Sequence, residues 1–463
     1  MRRREFLAMP AILTAAPATG ARVDELEISF TDFRYRAPYK FGGREVDKVT
    51  MLNVRCRVSS RDGKSATGAA AMSMGNVWAF PALPYDTTLA AMKTLAGRIA
   101  GITRGYRDYA HPLDVNHDLE PEYLKAAAEV SREMNLATPV PKLCVLVTAS
   151  PIDAALHDAF GRLHGRNAFS VCGKEFVRSD LAHYLNQEFR GEYLDQYVAR
   201  HAAPRVRMYH SVGASDALEE ADIKQRVDDG LPETLEQWIA YSGVTAIKIK
   251  LNGADLDWDV DRVAGIDRVT TRAQARRGFR DWIYSLDFNE RCPNVQYLLD
   301  FEHRIQEKAA GAFARVQYIE QPTARDLAAN RQNTMFEAAK LRPVVIDESL
   351  TGLDTLLLAR EMGYTGVALK ACKGQSGTLL MAAAAQKYKM FRCVQDLTCP
   401  GAALVHSVGI AAHIPGTSAL EANAREYVPS ANAGWEGKFP GIFQVRDGWL
   451  KTAGLDGPGL CTS

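Results

Sequence analysis

Hydrophobic and polar positions alternate along the first part of the chain and then change to a helical spacing. The stretches ELEISFTDFRYR and VTMLNVRCRVSS have the alternation of β-strands, and RDGK, around Asp62 and Gly63, has the composition of a hairpin turn. From about residue 88 to about residue 200 the apolar residues recur at helical intervals, as in TLAAMKTLAGRIAG. A sheet followed by helices predicts an α+β domain.

A second pattern begins at about residue 204, where short apolar strands alternate with helical segments. The strands are RVRMYHSVG, TAIKIKL, WIYSLDFNE, RVQYIEQP, RPVVIDES, GVALKA and MFRCVQDL. Strands that alternate with helices form a parallel sheet, and seven or eight such units predict a (β/α)₈ TIM-like barrel. A doubly wound open sheet is the alternative, but no GxGxxG follows a strand, so a dinucleotide site lacks support.

The predicted fold class is therefore α/β, a barrel preceded by an α+β domain. We expect the α+β domain over residues 24–200 and the barrel over residues 201–430. The last segment, residues 431–463, contains the turn-rich VRDGWLKTAGLDGPGL. We expect this segment to pack back onto the α+β domain.

The N-terminus has the order of a cleavable export signal. MRRREFLAMPAILTAAPATGARV begins with three arginines, continues with a weak apolar run and ends in small residues, and RRREFL resembles the twin-arginine type. The run is too short, and too interrupted by Pro10 and Pro17, to span a bilayer, and no later segment looks apolar enough. We expect residues 1–23 to direct export to the periplasm; if they do not function as a signal, they are a disordered basic tail of a cytoplasmic protein.

Composition narrows the classes of partner. The hydrophobic content of 47% and the charged content of 24% are ordinary for a soluble globular protein. The net charge of +1 gives no electrostatic case for binding nucleic acid or, after signal removal, an anionic membrane. The eight cysteines are scattered without a CxxC pair, and Cys393 and Cys399 fit no zinc-site spacing. A disulfide scaffold is not expected, although one or two bridges stay open.

Charged residues gather at the carboxyl ends of the predicted strands, where barrel enzymes build their active sites. In strand order they are Lys248 and Lys250, then Asp287, Asn289 and Glu290, then Glu320 and Gln321, then Asp347 and Glu348, then Lys370 and Lys373. Taken alone, TAIKIKL could be an exposed edge strand protected by its lysines, and each acid could be a helix N-cap. Five such ends in strand order favour one site.

The types of residue indicate the chemistry of that site. Three converging carboxylates repel one another unless a cation lies between them, and an oxygen-rich, histidine-free set favours a hard ion, best Mg²⁺, with Mn²⁺ as the alternative. Such an ion stabilises the enediolate that forms when a carboxylate substrate loses its α-proton. A lysine on each side of that carbon could take and return the proton. Each lysine must then be partly neutral, which burial and a like-charged neighbour would promote.

The ordered set Lys-x-Lys, Asp-x-Asn, Glu-Gln-Pro, Asp-Glu-Ser and a sixth-strand lysine resembles the enolase superfamily, within it the mandelate racemase and muconate-lactonizing-enzyme-like proteins. The resemblance covers nearly the whole chain after the signal and implies that the α+β domain caps the barrel, completed by the C-terminal tail. It implies that Lys250 and Lys370 are acid/base groups on opposite faces of the substrate and that Lys248 helps to hold its carboxylate. It further implies Asp287, Glu320 and Asp347 as Mg²⁺ ligands, Asn289 and Glu348 beside them, and Lys373 as an outer charge.

The resemblance also implies a homo-oligomer and substrate selection by two stretches of the α+β domain, residues 35–43 and 73–81. The sequence departs from the family pattern at three strands. The seventh strand lacks the Glu-Ser that is frequent in the family and has Asp396 nearby. The eighth strand lacks the Asp-x-Asp with which dipeptide epimerases hold a substrate ammonium group, which argues against a dipeptide substrate. On the sixth strand, Lys370 stands in place of the Asp–His pair of the mandelate racemase kind. Glu421, after the eighth strand, is a candidate for substrate contact.

The resulting hypothesis is a Mg²⁺-dependent racemase, epimerase or cycloisomerase that acts on a small carboxylate. The alternatives are an acid-sugar-type dehydratase on the same scaffold, a Schiff-base aldolase, which would leave the three carboxylates unexplained, and an exported carboxylate-binding protein without turnover. Trp78 and Phe80 could line the pocket or pack on the barrel rim, and His210 could touch substrate or be structural. His406 and His413 are expected to be structural.

Overall fold

The computed structural model describes residues 19–463. Most of the predicted export signal, residues 1–18, therefore lies outside the described residues. The first strand begins at Ala21, and Ala21, Arg22 and Val23 already pair with Ser60, Ser59 and Val58. A signal that ended at residue 23 would include the first three residues of this strand.

The α+β domain is a three-stranded antiparallel sheet covered by helices. Its strands are β1 (Ala21–Phe41), β2 (Arg44–Ser60) and β3 (Ser65–Ser73), in the order β1-β2-β3, and the predicted turn at Asp62 and Gly63 joins β2 to β3. Its helices are α1 (Asn76–Ala79), α2 (Tyr85–Gly105), α3 (Pro112–Glu133), α4 (Lys142–Leu163) and α5 (Leu181–Tyr184). The long β1–β2 hairpin extends past the sheet to the mouth of the barrel, where Gly42 lies against Asn289.

Helix α4 is the core helix of this domain. Its most apolar 18-residue window is 94% buried inside the protein. By length and composition alone it could cross a membrane, so the expectation that no segment after the N-terminus is apolar enough is wrong for Lys142–Leu163. The burial explains the composition, because a helix that is covered on all sides needs apolar residues all round.

A closed parallel barrel follows, which confirms the predicted fold class. Within the described residues its strands are β4 (Arg205–Val212), β5 (Ala246–Lys250), β6 (Ile283–Asp287), β7 (Val316–Glu320), β8 (Val344–Ile346), β9 (Gly366–Leu369), β10 (Phe391–Val394) and β11 (Leu420–Glu421). Each strand pairs in parallel with the next, and β11 pairs with β4, so the sheet has no open edge. The doubly wound alternative is therefore excluded.

Helices surround the barrel. They are α6 (Leu235–Ser242), α7 (Leu256–Arg276), α8 (Val295–Ala314), α9 (Leu353–Glu361), α10 (Gln375–Lys387), α11 (Ala402–His413) and α12 (Ala424–Tyr427). The connection between β7 and β8, all of it described, is made by turns and the short 3₁₀ helix Ala338–Lys340 instead of an α-helix. The strands read as continuous apolar runs because both of their faces are covered.

The barrel interior is layered along its axis. The lower layer is apolar and contains Tyr209, Ala246, Tyr318, Val345, Ala368, Cys393 and Ala419. Two residues further along several strands, the next inward side chain is charged or polar. Lys248 follows Ala246 in this way on β5, and Glu320 follows Tyr318 on β7. Period-two alternation places these polar side chains directly above the apolar layer, at the carboxyl ends of the strands.

The C-terminal segment contacts both domains. Helix α13 (Pro440–Phe443) precedes β12 (Trp449–Lys451), which pairs antiparallel with the start of β4 in the barrel. Beyond β12 the chain reaches the α+β domain, where Leu460 N donates to Asp158 Oδ1 at 2.7 Å and Thr462 Oγ1 donates to Ala69 O at 2.6 Å. All eight cysteines lie in the described part of the chain, where each is buried and unpaired, so the bridges left open by the sequence are not present there.

Candidate active site

Strand β5 lies between β4 and β6, so the edge-strand interpretation of its lysines is wrong. Lys248 is fully buried, and its Nζ donates to Gln395 Oε1 at 2.8 Å, Glu421 Oε2 at 2.9 Å and Glu320 Oε1 at 3.0 Å. Asp287 Oδ2 lies 3.0 Å from the same nitrogen. Burial opposes the charge on Lys248, but Asp287, Glu320 and Glu421 outweigh it and raise the pKa well above its usual value. Lys248 thus holds three carboxylates together.

Lys250, two residues further along β5, points to the mouth of the barrel. Its Nζ donates to Asp287 Oδ2 at 2.5 Å and lies 5.8 Å from the centre of the Phe41 ring, which belongs to the β1–β2 hairpin. Burial tends to raise the pKa of Asp287, but the two ammonium groups of Lys248 and Lys250 lower it to about 2. Asp287 is therefore a carboxylate at neutral pH.

The other two lysines surround Asp347, which directly follows β8. Lys370 Nζ lies 2.8 Å from Asp347 Oδ2 and donates to Asp396 O at 3.1 Å. Lys373 Nζ donates to Asp347 O at 2.5 Å and to Asp347 Oδ1 at 3.0 Å. Burial acts against both charged forms, but the pairing lowers the pKa of Asp347 and raises the pKa of Lys370.

These contacts correct one expectation from the sequence. We expected burial and like-charged neighbours to make the two proton-transfer lysines partly neutral, and this is wrong for Lys370 in the arrangement described. The physical reason is that its nearest charged neighbour is the carboxylate of Asp347, 2.8 Å away, whose attraction outweighs the cost of burying an ammonium group.

Glu348 connects the barrel with the α+β domain. Its Oε1 accepts from Trp78 Nε1 at 2.8 Å and from Asn289 Nδ2 at 3.3 Å. Burial, followed by the charge of Asp347, raises the pKa of Glu348 to about 7. The centre of the Trp78 ring lies 4.3 Å from Lys370 Nζ, a cation–π distance. Trp78 therefore contacts both a carboxyl group and an ammonium group of the site.

The backbone is strained where two strands end at this site. Asn289, Glu290 and Gln321 have positive φ angles of 44°, 63° and 33°, a region that non-glycine residues rarely adopt. Glu290 N donates to Gln321 O at 2.7 Å, and Asn289 N donates to Asp287 Oδ1 at 2.8 Å. Such strain is typical of functional sites, where the surrounding structure holds side chains in a fixed direction.

A cavity of about 60 Å³ lies between the barrel mouth and the α+β domain. Lys250 and Lys370 both line it, from β5 and from the end of β9, which are four strands apart in the ring of eight. Its aromatic walls are Tyr35, Tyr39, Phe41, Trp78 and Tyr85. Both stretches expected to face the substrate, residues 35–43 and 73–81, contribute to these walls. Lys248 does not reach this cavity, whereas Glu421 does.

The side chains at the barrel mouth offer oxygen atoms, the type of ligand that a hard metal ion prefers. Buried oxygens of three of them, Asn289 Oδ1, Glu320 Oε2 and Glu348 Oε2, have no hydrogen-bond partner among residues 19–463. Buried oxygens without a partner are costly, and a cation would satisfy them. Over the same described range no three His, Cys, Asp or Glu side chains converge closely enough to hold an ion as they stand. Lysine ammonium groups lie between the carboxylates instead.

The remaining candidates lie elsewhere or pack structurally. His210 points away from the barrel interior, with its Nδ1 2.7 Å from Glu426 Oε1, and burial lowers its pKa well below the usual value. His406 Nε2 lies 2.8 Å from Gln375 Oε1, and His413 stacks on Phe169. Phe80 is buried in the core, while Trp78 lines the cavity.

Gln395, a partner of Lys248, was missed from the sequence. A weak signal existed, since alternation along β10 places Gln395 on the same face as Cys393, two residues before it. The chain separation of 147 residues between Lys248 and Gln395 explains why no local pattern connects them.

The fold and the set of residues at the barrel mouth define an enolase-type protein, a closed (β/α)₈ barrel covered by an α+β domain. The chain belongs to the family described as "Enolase C-terminal domain-like", whose sequence model matches residues 230–463, just over half of the chain. Membership of the enolase superfamily, inferred from the strand-end residues, is thereby confirmed. No functionally curated protein matches the chain by sequence.

Solved structures with the same fold align over almost the entire chain. A dipeptide epimerase from Enterococcus faecalis V583, complexed with Mg and the dipeptide L-Leu-L-Tyr, is 11% identical, covers 95% of this chain and 99% of its own, and has a TM-score of 0.61. An enolase from Bradyrhizobium, complexed with magnesium and mandelic acid, is 17% identical with 96% coverage of each chain and a TM-score of 0.60. A muconate lactonizing enzyme from Pseudomonas fluorescens, complexed with muconolactone, is 16% identical, also with 96% coverage of each chain, and has a TM-score of 0.59. At these identities the likeness shows the fold alone.

Proposed function

We propose that the protein is a Mg²⁺-dependent isomerase that removes and returns the α-proton of a small carboxylate through an enediolate, as a racemase, epimerase or cycloisomerase of the muconate-lactonizing-enzyme-like group. The observation that carries this proposal is the position of Lys250 and Lys370 on opposite walls of one cavity. Two amines that flank one carbon can act on its two faces, which is the requirement for inversion at that carbon.

The two lysines balance the proton in each turnover. A lysine on one wall that has given up its carboxylate partner and its proton accepts the α-proton of the substrate as a neutral amine. The ammonium group on the opposite wall donates one proton to the other face of the same carbon. The pair then differs from its starting state only in which lysine carries the extra proton. Exchange of these protons with solvent water restores the starting state and would place solvent hydrogen at the α-carbon.

Asp287, Glu320 and Asp347 would hold the metal ion through carboxylate oxygens, with Asn289 and Glu348 beside them. A bound Mg²⁺ would supply the positive charge that stabilises the enediolate. Binding must compete with the ammonium groups that these carboxylates contact, so the lysines and the ion share one set of oxygens. The buried Lys248 keeps Asp287 and Glu320 together. We therefore propose that it positions these metal ligands and does not contact the substrate directly.

The cavity favours a small substrate with an apolar or aromatic part. Five aromatic side chains line it, and an apolar or aromatic part of the substrate can pack against them. The one carboxylate that β11 contributes, Glu421, is engaged by Lys248 at 2.9 Å, so it is a poor partner for a substrate ammonium group. This supports the expectation that the substrate is not a dipeptide.

The proposal is tested by proton exchange in D₂O with a panel of α-hydroxy acids, N-acylamino acids, unsaturated diacids and sugar acids, followed by NMR. We expect deuterium at the α-carbon of at least one compound, with Mg²⁺ required and EDTA inhibitory. Formation of a 2-keto acid instead would identify a dehydratase. Binding of a compound without exchange would indicate a carboxylate-binding protein, and a lysine adduct trapped by borohydride would indicate a Schiff-base enzyme; either result overturns the proposal.

We also propose that residues 1–23 export the folded protein to the periplasm. The order of three arginines, weak apolar run and small residues supports this proposal. Replacement of Arg2, Arg3 and Arg4 by lysine should keep the protein in the cytoplasm, measured by cell fractionation. An equal periplasmic fraction in the variant would contradict export by this signal.

We further propose that the protein forms a homo-oligomer, as the resemblance to the family implies. Light scattering of the purified protein measures the oligomeric state, and a monomeric mass would contradict this proposal.

A further inference from the structure

The segment between β9 and α10 carries both sixth-strand lysines, Lys370 and Lys373, and it lacks a local anchor. Helix α10 begins after Gly374, which has no side chain to cap the exposed N–H groups of the first turn. Gly374 has a φ of 92°, a region that favours glycine, and a Cβ there would lie 3.0 Å from Asp153 Oδ2. The start of α10 therefore depends on a group from outside this segment.

Asp153 of helix α4 supplies that group from the α+β domain. Asp153 Oδ2 accepts from Ser376 N at 2.7 Å, and Asp153 Oδ1 accepts from Ser376 Oγ at 2.7 Å. His157, one turn along α4, places its Nε2 2.9 Å from Ser376 Oγ. All three residues are buried. A carboxylate at a helix N-terminus satisfies free N–H groups and interacts favourably with the helix dipole.

The first turn of α10 in turn holds the backbone of Lys370. Thr378 Oγ1, two residues after Ser376, donates to Lys370 O at 2.6 Å, and Lys373 N donates to the same oxygen at 3.0 Å. A movement of Ser376 would therefore move the chain that carries the Lys370 ammonium group.

Packing leaves one side of this segment open, the side on which Asp153 lies. A cavity of about 440 Å³ borders Lys373, Gly374, Gly377 and Thr378, and Asp153 also lines it. No side chain of residues 19–463 fills this open cleft, so the segment has room to shift on the side that faces it. The hydrogen bonds of Asp153 therefore hold the start of α10, together with the contact of 2.8 Å between His406 Nε2 and Gln375 Oε1.

We propose that Asp153 is a positioning residue for Lys370, so that a helix of the α+β domain sets the geometry of one of the two proton transfers. This inference rests on the proposed function. Asp153 does not line the cavity that Lys250 and Lys370 share, so it acts through Ser376 and Thr378 and not on the substrate.

The test compares Asp153→Ala with Asp158→Ala. Asp158 is a buried carboxylate on the same helix that holds Ala69 N and Leu460 N, away from the lysine segment. In Asp153→Ala we expect α-proton exchange to slow about 10- to 100-fold for the enantiomer whose exchange Lys370→Ala slows most, while exchange of the other enantiomer is unchanged. In Asp158→Ala the ratio of the two rates should equal that of the wild type.

A second measurement does not depend on activity. Amide hydrogen exchange of residues 370–378 should be faster in Asp153→Ala than in the wild type and unchanged in Asp158→Ala. If Asp153→Ala does not fold, Asp153→Asn, which retains one acceptor, should give a smaller change in the same direction. Unchanged amide exchange in this segment, or equal slowing of both enantiomers, would overturn the positioning role. A wild-type protein that exchanges no substrate would instead count against the proposed function, and the amide measurement would still decide the role of Asp153.

Discussion

The indole nitrogen of Trp78, in the α+β domain, lies 2.8 Å from Oε1 of Glu348, which follows strand β8 of the barrel. The centre of the same indole ring lies 4.3 Å from the ammonium nitrogen of Lys370. One side chain of the first domain thus contacts a carboxyl group beside the expected metal ligands and one of the two cavity lysines. The α+β domain is therefore part of the site and not only a cover over it.

Trp78→Phe should separate these two contacts, because it retains the ring and removes the N–H donor. Glu348 Oε1 would then keep only its 3.3 Å hydrogen bond from Asn289. We expect the free energy of unfolding to fall by about 1–3 kcal/mol, the usual cost of a lost hydrogen bond to a buried ionisable group. Mg²⁺ affinity, measured by calorimetric titration, should change as well, because Glu348 is directly beside Asp347.

Trp282→Phe is the matched control. Trp282 is also buried, and its Nε1 donates to Tyr284 Oη at 2.9 Å on the outside of the barrel. We expect a loss of stability but an unchanged Mg²⁺ affinity. If the two variants had the same Mg²⁺ affinity, the Trp78–Glu348 contact would be structural only.

Arg36→Ala should loosen the β1–β2 hairpin that supplies Tyr35, Tyr39 and Phe41 to the cavity. Arg36 Nε and Nη2 donate to the two carboxylate oxygens of Asp229 at 2.6 and 2.7 Å, a bidentate pair that ties the hairpin to the loop after β4. Loss of about 1–2 kcal/mol of local stability would raise the fraction of opened hairpin by a factor of about 5–30. Trypsin cleavage after Arg44, next to the hairpin turn, measures this opening.

Arg34→Ala is the control for this experiment, since Arg34 is an exposed residue on the same strand. Its hairpin should be cleaved at the wild-type rate. Equal cleavage rates in Arg36→Ala and the wild type would show that the Asp229 pair does not hold the hairpin in place.

Glu302→Leu should change how stability depends on pH. Glu302, on α8, is buried, and neither of its carboxyl oxygens has a hydrogen-bond partner within residues 19–463. Burial raises its pKa to about 8, against an ordinary value near 4.5. Between these two values the folded protein keeps a proton that the unfolded chain has lost, so this group makes stability fall as pH rises from about 4.5 to about 8.

The variant removes this dependence of stability on pH. The difference in free energy of unfolding between Glu302→Leu and the wild type should therefore grow in favour of the variant from about pH 5 to about pH 8.5, measured by urea denaturation. Glu307→Gln, at an exposed position of the same helix, should change stability little at either pH. A constant difference between Glu302→Leu and the wild type at the two pH values would contradict a raised pKa of Glu302.

The fold could be predicted from the sequence because its signals are local. Apolar runs such as TAIKIKL and RPVVIDES, separated by helical segments, predicted the strands β5 and β8 of a parallel barrel, and the carboxyl ends of parallel strands must meet at one mouth. That Asp287, Glu320 and Asp347 all lie at that mouth follows from the same rule. The roles assigned to them stay predictions.

The contacts within the site could not be predicted, because they join residues that are far apart in the chain. Lys248 lies 147 residues from Gln395, and Asp153 lies 223 residues from Ser376. Strand order places a lysine near a carboxylate, but it does not decide which oxygen each ammonium group contacts. That choice depends on side-chain packing, which is also why the raised pKa of Lys370 was missed.

The central claim is that Lys250 and Lys370 act on opposite faces of one carbon. The most direct test measures α-proton exchange in D₂O separately for each enantiomer of the substrate, with Lys250→Ala and Lys370→Ala. We predict that each variant loses exchange of one enantiomer by about 10²- to 10⁴-fold and keeps exchange of the other, and that the two variants have opposite preferences. Loss of the same enantiomer in both variants, or equal loss of both enantiomers in each, would contradict the claim.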